Sequence, residues 1–163
     1  MTPEIITIGV YGFAETSFFQ ALQDTEVDTL CDIRQRRGVR GSTYAFANSQ
    51  RLQARLAELG IRYIHRKDLA PSKAVRERQY AADKLNKTAK RQRTTLSPAF
   101  IEAYRQEILA GFDSEQFVAD LGPDVRVMAL LCVEREPAAC HRLLVAERLE
   151  NDLNATVKHV LPA

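Results

Sequence analysis

The sequence has little of what holds small secreted domains or membrane proteins together. It contains three cysteines in 163 residues, an odd count that argues against a disulfide framework and for a reducing compartment. No stretch approaches the roughly 20 apolar residues of a membrane span, and the start Met1-Thr-Pro-Glu-Ile-Ile-Thr lacks the basic opening and long apolar core of a signal peptide. Internal repeats, low-complexity segments and signs of a second domain are also missing. A chain of this length buries about two thirds of its unfolded surface and needs no covalent staple. The expectation is one soluble, cytoplasmic domain over 1–163 with no membrane partner.

Net charge is low, at +2, but it is unevenly distributed. Residues 34–93 hold 17 of the 23 Lys and Arg and only four of the 21 Asp and Glu (Glu58, Asp68, Glu77 and Asp83). Clustered cations raise the local potential and point to an anionic partner, either a small molecule or a nucleic acid. A solvated face of ion pairs with no ligand is the plainer alternative.

Apolar runs at Ile5–Val10 and Val27–Ile33 predict buried strands, and the helical spacing of Phe18, Phe19 and Leu22 predicts a crossover helix over 15–23. Asn48 or Ser49 caps a second helix that stops at Gly60, before a brief strand over Ile61–Ile64. Residues 65–96 are basic and poor in apolar positions, which predicts a surface insertion, partly helical and mobile. Ser97-Pro98 opens a helix ending at Gly111, Asp113 with Gln116 opens another, and Gly122-Pro123 ends it. Val125–Val133 reads as a strand covered on both faces; apolar positions then repeat at helical spacing over 138–150, in a helix beginning Cys140-His141-Arg142, and a fifth strand follows over Thr156–Leu161. The alternation implies an α/β fold: one mostly parallel sheet of about five strands with helices on both faces, a Rossmann-like three-layer sandwich.

In such sheets ligands sit beyond the carboxyl ends of the strands, where helix N-termini also point. That rule gathers Asp32, Arg34, Glu134, His141 and Arg142 at one crevice, with Arg37 and Arg40 on the loop after the second strand. Glu134, His141 and Asp32 are the candidate catalytic groups for proton transfer. Arg34, Arg37, Arg40 and Arg142 are the candidate ligand cations. Each has an ordinary reading as well, Asp32 as a turn cap and Arg34 as a surface ion pair. Cys31 and Cys132 lie inside apolar strands and read as small core hydrophobes. Cys140 stands near a helix N-terminus beside His141 and Arg142, surroundings that favour a thiolate. Packing under the helix is the first reading for it, with a nucleophile or a ligand-facing thiol as the alternative.

Several sharper motifs fail on spacing. No arginine stands six residues after Cys132 or Cys140, as a cysteine phosphatase loop requires, since those positions are Ala138 and Ala146. Cys132-x-Glu134-x-x-Pro137-x-x-Cys140 has the look of zinc deaminase elements but lacks the cysteine directly after the proline. A zinc set of Cys132, Cys140, His141 and His159 has no CxxC pair, so no metal is assigned. Gly9-x-x-Gly12 is too short for a dinucleotide fingerprint. The sequence names no cofactor and leaves the oligomeric state open.

Taken in order, Thr7-Ile8-Gly9, Asp32-Ile33-Arg34, and Cys132-Val-Glu134-x-x-Pro137-x-x-Cys140-His141-Arg142, with His159 near the end, resemble the domain of unknown function 488 family (DUF488). The specific part is Cys-x-Glu followed by Pro-x-x-Cys-His-Arg. The chain departs from the family pattern at Val10, where a histidine is common, and in the loop Gln35–Arg40. The resemblance implies a fold and motif positions, with no activity to carry over. Two readings follow from the residues: an enzyme acting on a phosphorylated or nucleotide-like substrate, and a non-catalytic nucleic-acid-binding module using the basic 34–93 segment. Aromatic residues for base stacking are scarce in that segment, which ranks the second reading lower.

Overall fold

The computed structural model describes residues 2–89 and 93–163. Lys90, Arg91 and Gln92, inside the segment expected to be a mobile insertion, lie outside the described residues, as does Met1. Strands β1 (Glu4–Ile8), β2 (Thr29–Asp32), β3 (Arg62–His65), β4 (Val127–Leu131) and β5 (Val157–Val160) form one parallel sheet in the order β3-β2-β4-β1-β5. The helices are α1 (Glu15–Asp24), α2 (Ser49–Glu58), α3 (Lys73–Leu85), α4 (Pro98–Glu107), α5 (Ser114–Leu121) and α6 (His141–Leu153).

Side-chain alternation along the strands divides the core in two. Ile6, Ile8, Leu30, Ala129 and Leu131 face Phe18, Phe19 and Leu22 of α1 and Leu52 and Leu56 of α2. Their neighbours Ile5, Cys31, Met128 and Leu130 face Val75 of α3, Tyr104 of α4, Phe117 of α5 and Leu149 of α6. A period of two thus serves two helical layers, and the central strands read as continuous apolar runs because both faces are covered. The edge strands β3 and β5 are only partly buried. No helix among the described residues is long and apolar enough to cross a membrane.

Local chemistry explains most element ends. The Ser97 hydroxyl accepts from the Phe100 amide with Pro98 in the first turn of α4, and the Asp113 carboxylate accepts from the Gln116 amide at the start of α5. Gly60, at φ +72°, supplies the left-handed residue that follows α2. The handover to the last helix falls at Cys140-His141-Arg142: Pro137–Ala139 forms a separate 3-10 turn, and Cys140 is extended at φ −139°, ψ 148° as the N-cap of the helix that starts at His141. The basic segment 65–96 carries a 3-10 turn at Lys67–Leu69 and then α3, which packs on α4 and buries Leu69, Val75 and Gln79. Lys73, Arg76 and Gln79 of α3 line a cavity at the carboxyl ends of the strands.

Candidate functional site

The order β3-β2-β4 places the end of β2 beside the end of β4, so the loops 32–40 and 132–140 open on the same side. Between them and α3 lies a cavity of about 860 Å³. Six cations line it, Arg34, Arg36, Arg40, Lys73, Arg76 and Arg93, against the carboxylates Glu77 and Glu134. Cys132, Cys140 and His141 complete the wall on the β4 side.

Asp32 and Arg34 are buried together at 0% and 2% exposure. Arg34 donates from Nε to Oδ1 at 2.9 Å and from Nη2 to Oδ2 at 2.8 Å, a two-pronged pair, and its amide also reaches Oδ1. The Tyr63 hydroxyl donates to Oδ2 at 2.6 Å. Burial foremost, and the charge of Asp32 with it, raise the Tyr63 phenol against the pull of Arg37. Both carboxylate oxygens of Asp32 are therefore engaged, and Asp32 is not among the residues that line the cavity. What reaches the cavity is Arg34, whose Nη1 is buried with no hydrogen-bond partner among the described residues. Arg76 of α3 also lines the cavity, and its buried Nε has no hydrogen-bond partner among the described residues.

On the facing side, Gly9 governs the path of the loop after β4. A Cβ there would lie 1.9 Å from the Glu134 carbonyl oxygen, so only glycine lets that backbone pass. Arg142, fully buried, donates to the carbonyls of Glu134 at 2.6 Å and Arg135 at 3.0 Å. Arg142, expected as a ligand cation, is turned by the first turn of α6 toward these carbonyls and is not among the residues that line the cavity. Arg37 likewise stays off the cavity wall and reaches the Tyr63 hydroxyl at 3.5 Å, whereas the exposed Arg40 lines it.

Glu134, 6% exposed, meets Arg93 at 3.4 Å. Arg93 also bonds Asp83 of α3, and Gln79 links Asp83 at 2.8 Å to the Ser97 amide at 2.7 Å. Burial acts against the Asp83 carboxylate, but the hydrogen bonds from Arg93 and Gln79 hold it below the usual range. Arg93 and Gln79 escaped the sequence reading because nothing local separates them from the other polar residues of a basic segment.

The imidazole of His141 is oriented from behind. Its Nε2 lies 2.8 Å from the Ile33 carbonyl oxygen, to which it donates, and its Nδ1 stands 3.6 Å from both Cys132 Sγ and Cys140 Sγ. The two sulfurs and Nδ1 all lie within 4.8 Å of one another. Burial opposes ionisation of Cys140, yet the Cys132 thiol, His141 and Arg142 together bring it well below the ordinary thiol range. Burial and the neighbouring Cys140 raise Cys132. His141 is pulled down by burial and raised further by Cys140, the Ile33 carbonyl and Glu134. Cys132, expected as a core hydrophobe, is buried and also lines the cavity beside Cys140 and His141, while Cys31 is a core thiol pushed up to about 12 by burial. His159 stands apart on β5, with Nδ1 2.7 Å from the Thr7 hydroxyl.

No curated protein and no solved structure matches this chain. A family model described as domain of unknown function DUF488 matches residues 15–149, which take in Asp32-Ile33-Arg34 and the whole run from Cys132 to Arg142. With that share of its 163 residues matched, the chain belongs to the DUF488 family.

Proposed function

We propose that the cavity binds a small anionic ligand carrying phosphate, or a nucleotide-like group, and that Glu134 serves proton transfer to or from it. The observation that carries this reading is the convergence of six cations on one cavity with two carboxylates among them. Arg34 supports it most directly, since its spare Nη1 stands on a guanidinium already fixed by Asp32. Such pre-orientation lowers the entropic cost of gripping an oxyanion. Asp32 is a positioning residue in this scheme. Glu134 carries the proton-transfer role rather than His141, because both ring nitrogens of His141 are turned to the Ile33 carbonyl and the two thiols.

The nucleic-acid reading draws on fewer cations than the sequence count implies. Arg51 pairs with Glu15, Arg55 with Glu58, Arg66 with Asp68 and Arg93 with Asp83, so these four of the 17 cations in 34–93 are engaged within the chain. Titration calorimetry with pyrophosphate and with nucleoside mono- and diphosphates tests the proposal, alongside an oligonucleotide at several salt concentrations. Saturable binding of a small phosphate ligand, weakened by loss of Arg36 or Arg40, is the expected result. Binding to the oligonucleotide alone, with the steep salt dependence of counterion release, overturns it.

A further inference from the structure

We propose that Cys132, Cys140 and His141 form a zinc site in the cavity wall, with three protein ligands and the fourth position left to water. Four features of the structure lead there. The first is distance. Two ligand atoms on one tetrahedral zinc, with sulfur at about 2.3 Å and nitrogen at about 2.0–2.1 Å, stand about 3.6 Å apart. Nδ1 of His141 lies 3.6 Å from each of the two sulfurs.

The second is orientation. A ligating histidine ordinarily donates its other ring N–H to a carbonyl or carboxylate, which fixes both tautomer and ring angle. His141 does this through Nε2 and the Ile33 carbonyl at 2.8 Å, and that bond leaves Nδ1 aimed at the thiols. Ile33 sits at the end of β2 and His141 opens α6, so the adjacency of β2 and β4 sets the imidazole in place.

The third is the donor set. Cys132 Sγ stands 3.5 Å from Glu134 Oε2 and 3.6 Å from His141 Nδ1, with Cys140 Sγ inside the same cluster. Two sulfurs and one imidazole nitrogen are the ligand types that zinc takes. The ion binds both thiols as thiolates and the imidazole as the neutral ring, with the displaced protons released to solvent.

The fourth is access. Cys132, Cys140, His141 and Glu134 all line the cavity. Glu134 approaches Cys132 but is not one of the three residues whose ligand atoms all lie within 4.8 Å. Its carboxylate is therefore placed beside the ion rather than on it, where it accepts a proton from a zinc-bound water. His159, which the bare sequence offered as a further ligand, is bonded to Thr7 on the edge of the sheet and takes no part. Three protein ligands with one open position is the arrangement of a zinc that acts on a substrate; structural zinc sites are closed by four.

The test is metal analysis of the full chain, purified in reductant without chelator, followed by titration of the metal-stripped protein with zinc against a chromophoric competitor. The expected result is about one zinc per chain, with a thiolate-to-metal charge-transfer band when cobalt(II) replaces it. Cys132→Ser, Cys140→Ser and His141→Ala should each weaken zinc binding at least tenfold. Far-UV circular dichroism identifies any variant that has simply unfolded. For those, protection of two thiols from a thiol reagent by zinc in the wild-type chain replaces the variant. Glu134→Gln should keep its zinc. The proposal is overturned if the folded, reduced wild-type chain neither carries nor takes up zinc, or if Cys140→Ser binds it as tightly as the wild type. Loss of zinc from folded Glu134→Gln overturns the three-ligand assignment. Phosphate binding without zinc refutes this proposal alone, and zinc without phosphate binding refutes only the anion reading.

Discussion

Arg142 donates from Nη1 to the carbonyl oxygen of Glu134 at 2.6 Å, and the same oxygen would stand 1.9 Å from any Cβ placed on Gly9. The backbone bearing Glu134 is thus held between a buried guanidinium and a glycine. Position of the Glu134 carboxylate depends on both. Arg142→Lys gives up the fork that spans two carbonyls, and its expected cost is about 2–3 kcal/mol. Gly9→Ala forces the loop outward, at about 3 kcal/mol. Urea denaturation measures both, and a cost within about 0.5 kcal/mol of wild type for either would contradict the clamp.

Asp32→Asn leaves the Arg34 guanidinium buried without its counter-charge. Breaking a buried pair on one side costs about 3–5 kcal/mol, far more than loss of an exposed pair such as Arg55 with Glu58. Tyr63→Phe removes one hydrogen bond to the same carboxylate and should cost about 1 kcal/mol. Because the two changes share Asp32, a double-mutant cycle should show them non-additive. Strict additivity would mean the hydroxyl and the carboxylate act independently.

Asp83 contributes to acid stability in a direction that can be stated. A carboxylate held low in the folded state adds stability above its unfolded pKa of about 3.9 and loses it as pH falls through the lower folded value. Asp83→Asn should therefore narrow the gap to wild type as the pH drops below about 4, with the full difference present at neutral pH. Urea midpoints across pH 2–7 report this, and a gap that widens on acidification would reverse the sign.

Arg36 and Arg40 are exposed and belong to the cavity wall. Replacing either by alanine should weaken a phosphate-bearing ligand about fivefold, at about 1 kcal/mol per exposed cation, and leave stability within about 0.5 kcal/mol. Arg37→Ala, off the wall, should leave affinity unchanged. Calorimetry separates the three, and equal losses at all of them would point to diffuse charge attraction instead of a defined site.

Much of this molecule was legible because its signals are short-range. Ser97-Pro98 and Asp113 with Gln116 carry their capping hydrogen bonds within three residues, so the helix starts could be read where they occur. Val127–Leu131 shows its double coverage in an unbroken apolar run. The rule about strand ends pointed to one crevice, and Arg34, Arg40, Glu134, His141 and Cys140 all line the cavity there. Directions of side chains were another matter. Arg142 and Arg34 look alike in the sequence, both basic and both just past a strand or at a helix start, yet one grips backbone and the other faces the cavity.

The amino-acid order by itself determined the elements, their alternation and the end of the sheet where polar residues gather, because period, caps and turns act over a few residues. Only the tertiary structure decided the strand order that sets Ile33 behind His141, the meeting of Cys132 with Cys140, and the use of basic residues from α3 as a cavity wall. Those relationships join residues as far apart as Ile33 and His141. They depend on which side of a packed core each side chain is turned to, and local sequence does not encode that.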